Sequence, residues 1–522
     1  MSGHERANPI LSSGRNFWKS TRAEQSGVLV DAADYYLAFY EAAQQAKRSI
    51  LIAGWQFDRG VPLLRGDDAP PGAEVRLLKF LNGLCEQNPE LEIYILAWDF
   101  HVVFALEREW MQKLYFHWAT EKRVHFRFDQ ARPDHGSHHQ KFAVIDRRVA
   151  FVGGIDLCEA RWDDRHHQQD NPLRLTRGAP SKPYHDVQAY LAGCEVTDVL
   201  RELFVDRWAR SEGAPLQLTE CDVGGAGDYR PRGALPLGPR EVAFSRTDPR
   251  APGDTVREIE ALFVAAIAAA ERLIYIETQY FSSRAVCNAL MQRMQEPDRP
   301  SLDIVVVLNK EPEALKEELA IGLRQSKILM QLSAAAARTG HALGIYESLC
   351  EGDDPERATT YIHSKLLCVD DRFLSVGSAN MTNRSMGVDT ELHVTWETAD
   401  AASGDRQLIE AIRDVRVSLL AEHAGLLGPD GAPFQSGELG RARGLVEWLH
   451  AQTRLPNARL KIHVAATPGE RQIASIIDPE ALPFDPANPD YKDGSSNESE
   501  NPETRPLFVG GISALWEKLK PG

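Results

Sequence analysis

The chain has 522 residues, 43% of them hydrophobic and 26% charged, a balance that supports a sizeable core and excludes global disorder. Its formal charge of −16 argues against a non-specific nucleic-acid binder, which needs a basic stripe. An anionic substrate must therefore be held by a local cationic pocket against the global field.

The first stretch, 1–27, has no apolar segment of a secretory signal and reads as a tail. Residues 28–212 read as a first α/β unit. Ser49–Ala53 and Ile93–Ala97 are short apolar runs that predict buried strands, with amphipathic helices at Ala73–Leu84 and Leu106–Trp118. Val124–Phe128 predicts a strand, Phe142–Ile145 and Val149–Val152 a hairpin, Val187–Leu191 a strand and Cys194–Ser211 a helix. The Gly- and Pro-rich stretch 213–254 reads as a linker. A second unit, 255–424, repeats the order. It predicts a helix at Thr255–Ala270 capped by Asp254, a strand at Leu273–Glu277, a helix at Ser283–Gln295 and a strand at Asp303–Leu308. A helix at Ala314–Thr339, a strand at Leu343–Tyr346 and a hairpin of Lys365–Val369 with Phe373–Val376 follow. The remainder, 425–522, reads as an extension with one helix at Leu445–Gln452 and an extended or disordered stretch at Asp478–Pro502. No apolar run reaches the roughly 18 residues that a membrane span requires. Seven cysteines without a CxxC pair fit reduced, buried thiols. Both features predict a cytoplasmic protein, able to touch a membrane from one side.

The decisive feature is an internal duplication. HHQKFAVIDRRVAFVGGIDL at 138–157 aligns with IHSKLLCVDDRFLSVGSANM at 362–381 at a constant offset of 224. His139 matches His363, Lys141 matches Lys365, Asp146 matches Asp370, and Asp156 matches Asn380. Random placement of this chain's His, Lys and Asp gives only about 0.03 copies of H-x-K-x4-D. On an extended strand residues i and i+2 share a face, so each His points with its Lys. Each Asp lies an odd number of positions away and is expected to brace structure. If the halves pack about a pseudo-twofold axis, two imidazoles and two ammonium groups meet in one pocket. Such a pocket suits a phosphate diester: cations hold the non-bridging oxygens, one imidazole attacks and the other protonates the leaving oxygen.

At these residues the sequence resembles the phospholipase D superfamily, whose signature is the doubled H-x-K-x4-D motif. FVGGIDLCEARWDD at 151–164, KPYHDVQAYLAG at 182–193, IYIETQYF at 274–281 and GSANMTNRSMGVDTEL at 377–392 are similar to its eukaryote-like branch, in compact bacterial form. The resemblance implies two similar domains, each a mixed β-sheet flanked by helices, related by a pseudo-twofold axis and sharing one active site. It implies a covalent phosphohistidine, with His139 as nucleophile and His363 as general acid. His139, Lys141, Asp146, His363, Lys365 and Asp370 are then the catalytic motif residues. Asp156, Ser378 and Asn380 belong to the phosphate pocket. Glu391 is the expected imidazole-orienting acid of the second half, and Asp186 that of the first. The implied substrate is a glycerophospholipid at a membrane surface, with water or an alcohol as acceptor and no cofactor, metal or nucleic acid. Cardiolipin synthase-type transfer, a nucleic-acid phosphodiesterase and an inactive lipid-binding scaffold are the competing readings.

Other residue groups have blander explanations. His135, His138, His166 and His167 with Asp163 and Asp164 fit no standard metal-ligand spacing and read as a solvated loop. Trp55, Trp98 and Trp162 read first as core, although they could line an acyl groove.

Overall fold

A computed structural model describes residues 9–98, 122–129, 136–211, 215–218, 227–249, 255–309, 321–352, 358–398 and 405–464. It contains two mixed sheets of the same central topology. In the first, the hairpin strands Phe142–Ile145 and Val149–Gly153 lie between Ser49–Gly54 and Val187–Ala192, antiparallel to both neighbours. Ser49–Gly54 continues in parallel to Glu92–Trp98 and Val124–Asp129. In the second, Leu366–Val369 and Phe373–Gly377 lie between Leu273–Glu277 and Glu391–Glu397, and Leu273–Glu277 continues in parallel to Asp303–Val307 and Ala342–Ser348. The sequence repeat is thus a repeat of strand order.

The strands are apolar on both faces because both faces are covered. In the first sheet Leu51, Val144, Ala150 and Ala189 face a central core, while Ile50, Ile145, Phe151 and Tyr190 face an outer one. The second sheet divides likewise, with Tyr275 and Val376 facing inward and Ile274 and Val369 outward. The central core joins the two sheets and takes in Leu203 and Phe204 of the helix Cys194–Arg210 and Ile412 and Leu419 of the helix Arg406–Ala424. One continuous core across both halves fixes their mutual placement.

Several boundaries differ from the sequence expectations. The supposed tail contains the strand Lys19–Ala23, which joins the second-half sheet beside Arg240–Asp248. The supposed linker contains that nine-residue strand, paired to Glu391–Glu397, and also Leu235–Pro236, which extends the first-half sheet. Its Gly- and Pro-rich flanks mask the apolar run Val242–Phe244, which is buried. The extension is integral as far as 464: Leu439, Leu445, Leu449 and Leu460 are core residues, and Leu460–Ile462 is an edge strand. The helix expected from Thr255 begins at Glu258, because Val256–Arg257 pairs with Thr247–Asp248. The helices Asp31–Gln44 and Arg406–Ala424 and the strand Glu391–Glu397 had no prediction. The predicted helix Leu106–Trp118, the cap Asp254, residues 314–320 and Asp478–Pro502 lie outside the described residues.

Asp146 and Asp370 hold the hairpins to their sheets. Each begins its turn in the left-handed region, at φ 52° and 55°, a conformation that Asp tolerates better than most residues. The Asp146 carboxylate accepts the backbone N–H groups of Lys47, Arg48 and Ser49 at 2.8–2.9 Å. Asp370 accepts those of Glu271, Arg272 and Leu273 at 2.7–2.8 Å. These motif residues, grouped with the catalytic ones by motif membership, use their carboxylates to brace backbone. Replacing Asp146 by Ala strands three N–H donors and should lower the unfolding free energy by roughly 2–4 kcal/mol. Urea denaturation measures this, and an unchanged midpoint would show that the bracing is dispensable.

Candidate active site

The two H-x-K segments lie immediately before the hairpin strands, and each is fastened to the opposite half. Ser137 to His139 run beside Asp389 to Glu391: His138 bridges Thr390 in parallel, Thr390 N–H donates to Ser137 O at 2.9 Å, and His139 N–H donates to Thr390 O at 3.0 Å. Tyr361 and Ile362 pair in parallel with Tyr184 and His185, and His363 N–H donates to His185 O at 2.8 Å. The acid that follows each partner segment therefore reaches the histidine of the other half. His139 Nδ1 lies 2.9 Å from Glu391 Oε2, and His363 Nδ1 lies 2.5 Å from Asp186 Oδ2. Both expected orienting acids contact an imidazole, but the pairing crosses between the halves rather than staying within each.

With Nδ1 turned to a carboxylate, Nε2 is the ring nitrogen left for chemistry in both histidines. Burial, then the Lys ammonium groups, holds both imidazoles well below the ordinary histidine range. Burial pushes the Asp186 carboxyl up to about 7 and the Glu391 carboxyl up to about 8. The Lys365 ammonium is pushed down to about 7 by burial and by Lys141, against the pull of Asp186. A buried cation pair under this strain gains from a bound anion.

Lys141 lies 3.6 Å from Asp156 Oδ2, whose other oxygen accepts Trp55 N–H at 2.9 Å. In the second half Gln279 Oε1 accepts from Lys365 Nζ and Asn380 Nδ2, both at 3.3 Å. Asp156 and Asn380 thus stand beside the two lysines. Ser378, expected in the phosphate pocket, donates its hydroxyl to Glu391 Oε2 at 2.5 Å. Its first-half counterpart is Gly154, where an added Cβ would sit 2.3 Å from Asp186 Oδ1.

Sequence reasoning missed Gln279, Asp389 and His393. Asp389 accepts the N–H and hydroxyl of Ser137 at 2.8 and 2.9 Å and pairs with Arg384 at 2.6 Å, locking the approach to His139. His393 Nε2 accepts Ala379 N–H at 3.2 Å and so steadies the turn that carries Asn380. Gln279 stands in the segment IYIETQYF, but no pattern marked it out.

The expectation of a solvated loop fails for Asp163, His167 and His138, which are buried. His138 pairs with Asp129 at 2.9 Å. Behind Asp186, the residues Asp31, His167, His185 and Glu422 bring one possible ligand atom each within 4.8 Å of one another. Two carboxylates and two imidazoles could hold a divalent cation. The same atoms also pair among themselves, with His185 Nδ1 2.6 Å and His167 Nε2 3.1 Å from Glu422 Oε1. Burial alone would lower His167, but Asp31 and Asp163 hold it up at about 9. Asp31 also accepts Asp186 N–H at 3.1 Å, so this cluster underlies the site. Trp162 is core; Trp55 and Trp98 are half-buried, their rings tilted by 31° with centroids 5.8 Å apart. His135 lies outside the described residues, while His166 and Asp164 are half-buried.

Residues 42–226 match the family model described as phospholipase D, and 263–412 match that described as cardiolipin synthase, phospholipase D-like domain. Between them they take in both motifs and well over half of the chain. The chain belongs to the phospholipase D superfamily. Phospholipase D alpha 3 of Arabidopsis thaliana is 26% identical over 74% of this chain and 62% of its own length. Phospholipase D alpha 1 of Brassica oleracea is 24% identical over 74% and 63%. The chain therefore spans less than two thirds of these relatives. A phosphatidylserine synthase from Haemophilus influenzae overlaps with a TM-score of 0.48 at 14% identity, over 78% of this chain and 88% of that one. The fold class expected from the sequence is the one found.

Two outcomes follow from this geometry. Gly154→Ala should push Asp186 away from His363 and lower kcat by about 10²-fold while circular dichroism stays native; full activity would mean that Asp186 need not stay where it is. Burial holds the His393 imidazole down at about 3. Its contribution to stability is full above about pH 6.5 and is lost as pH falls through that range, at up to about 1.4 kcal/mol per unit. His393→Gln should flatten the plot of unfolding free energy against pH between 6.5 and 4.5, and an unchanged slope would contradict a buried neutral imidazole.

Proposed function

We propose that the protein transfers the phosphatidyl group of glycerophospholipids by a double displacement at the His139/His363 site. The observation that carries this reading is the pair of crossed imidazole–carboxylate contacts beside two buried lysines. His139 Nε2 attacks phosphorus while Lys141, Lys365 and Asn380 hold the non-bridging oxygens. Binding of the lipid phosphate offsets the cations that hold the His363 ring neutral, so Nε2 takes up a proton; as the bond to the headgroup oxygen breaks, His363 delivers that proton to it. Water or an alcohol then gives its proton to His363 and attacks phosphorus. The N–P bond breaks and His139 is restored. Water yields phosphatidic acid and an alcohol yields a new phospholipid.

Glu391 and Asp186 keep Nδ1 of each ring engaged, so that Nε2 faces the phosphate in the productive tautomer. His139 is 16% exposed and His363 6%, which favours the first as the group met by an incoming lipid phosphate. No helix among the described residues is long and apolar enough to cross a membrane. The protein works at a membrane surface, from the cytoplasmic side, a location supported by the free thiols of the described cysteines. Transfer to a lipid alcohol, as in cardiolipin synthesis, is the second reading, favoured by the family model that matches 263–412.

Wild-type protein and His139→Ala are incubated with mixed phospholipid vesicles, with and without ethanol or glycerol, and products are identified by mass spectrometry. Phosphatidic acid or a phosphatidyl alcohol is expected from the wild type alone. Absence of lipid turnover would overturn the reading. Glu391→Gln should cost roughly 10³-fold in kcat with little change in KM, because it disturbs a tautomer rather than binding. Equal losses in KM would place Glu391 in substrate binding instead.

A further inference from the structure

The surroundings of the two histidines are not equivalent. His139 has Glu391 and Asp389 on its partner strand, whereas His363 has aromatic rings and cations. The Tyr184 and Tyr361 rings lie 5.4 and 6.5 Å from the His363 ring, centroid to centroid. Each carries a cation of this chain. The Arg161 guanidinium lies 5.0 Å from the Tyr184 centroid and the Lys182 ammonium 3.5 Å from that of Tyr361. Arg161 forms no ion pair among the described residues, and its Nε is buried without a hydrogen-bond partner. Arg161 also lies close enough to influence the charge of His363, Lys365 and Asp186. The lysines and Asn380 already serve the phosphate, so this guanidinium is a cation left over at the side of His363.

We infer that Arg161, assisted by Lys182, selects an alcohol that carries its own anionic group as the partner of the phosphatidyl moiety. This rests on the proposed reaction, in which His363 handles the proton of the leaving headgroup and of the incoming acceptor. Both alcohols occupy the same place beside His363, so one cationic wall acts on both. Asp156 and Asp186 act on Arg161 only through space, and a half-buried guanidinium with no carboxylate in contact gains from a carboxylate or phosphate on the alcohol. A headgroup whose only charge is positive meets like charges there, because the faces of both rings that would stabilise it hold cations already. Arg161 touches the headgroup and not phosphorus, and it sets specificity without taking part in proton transfer.

The test compares monomeric dihexanoyl phosphatidylserine with dihexanoyl phosphatidylethanolamine, which differ in the headgroup carboxylate alone and present no charged surface. A second arm supplies serine or ethanolamine as acceptor to a common donor lipid and reads the transfer products. Wild-type protein is expected to favour the serine compound in kcat/KM by about tenfold in the first arm, the worth of one charge-assisted hydrogen bond. Arg161→Gln should bring the ratio close to one by slowing the serine compound, while Arg161→Lys, which keeps the charge, should retain part of the preference. A wild-type ratio at or below one, or a ratio that Arg161→Gln leaves unchanged, overturns the inference. A preference confined to one arm restricts the wall to leaving headgroups or to acceptors and overturns the claim for the other. Release of neither headgroup would instead defeat the phosphatidyl-transfer reading, and the inference with it.

Discussion

The active centre depends on an exchange of short parallel pairings between the two halves. Ser137 to His139 borrow a partner from Asp389 to Glu391, and Tyr361 to His363 borrow one from Tyr184 to Asp186. Each pairing fixes a histidine backbone and, one residue on, sets a carboxylate against its ring. Neither half alone supplies both an imidazole and the acid that orients it. The shared central core holds this exchange together, because sliding one sheet across the other would break both carboxylate contacts at once.

Burial is what gives the exchanged groups their chemistry. In water two imidazoles beside two ammonium groups would be screened. Here they are desolvated, so the free rings are held neutral and a phosphate anion bound between the two lysines is weakly screened. The buried cluster of Asp31, His167, His185 and Glu422 stands immediately behind and is drawn from both halves. It anchors Asp186 through its backbone N–H, so the position of the acid at His363 is set by ionic contacts two layers deep.

The duplication has diverged where the halves need different properties. Ser378 donates to Glu391, while its counterpart Gly154 only makes room for Asp186. Asn380 shares Gln279 with Lys365, while its counterpart Asp156 pairs with Lys141. Asp389 and Arg384 flank the approach to His139, and Tyr184 with Arg161 flanks that to His363. A symmetric pair of motifs has thereby become two inequivalent imidazoles, as the proposed roles of nucleophile and acid require.

The sequence by itself determined the doubled motif, the repeated order of strands and helices, and the residues His139, Lys141, His363 and Lys365. Spacing carried these, because H-x-K fixes which side chains share a face and the offset of 224 is constant along an ungapped stretch. Asp186 and Glu391 were legible only through resemblance. Glu391 lies thirteen positions after Ser378, but Asp186 lies thirty-two after Gly154, so the offset fails beyond the inserted first-half loop. Only the tertiary structure decided that each acid serves the opposite histidine, that Ser378 holds Glu391, and that 19–23 and 240–248 are strands of the second sheet. All but the Ser378–Glu391 contact join residues more than a hundred positions apart. They are fixed by how two amphipathic layers close over one core, and local pattern carries no record of that closure.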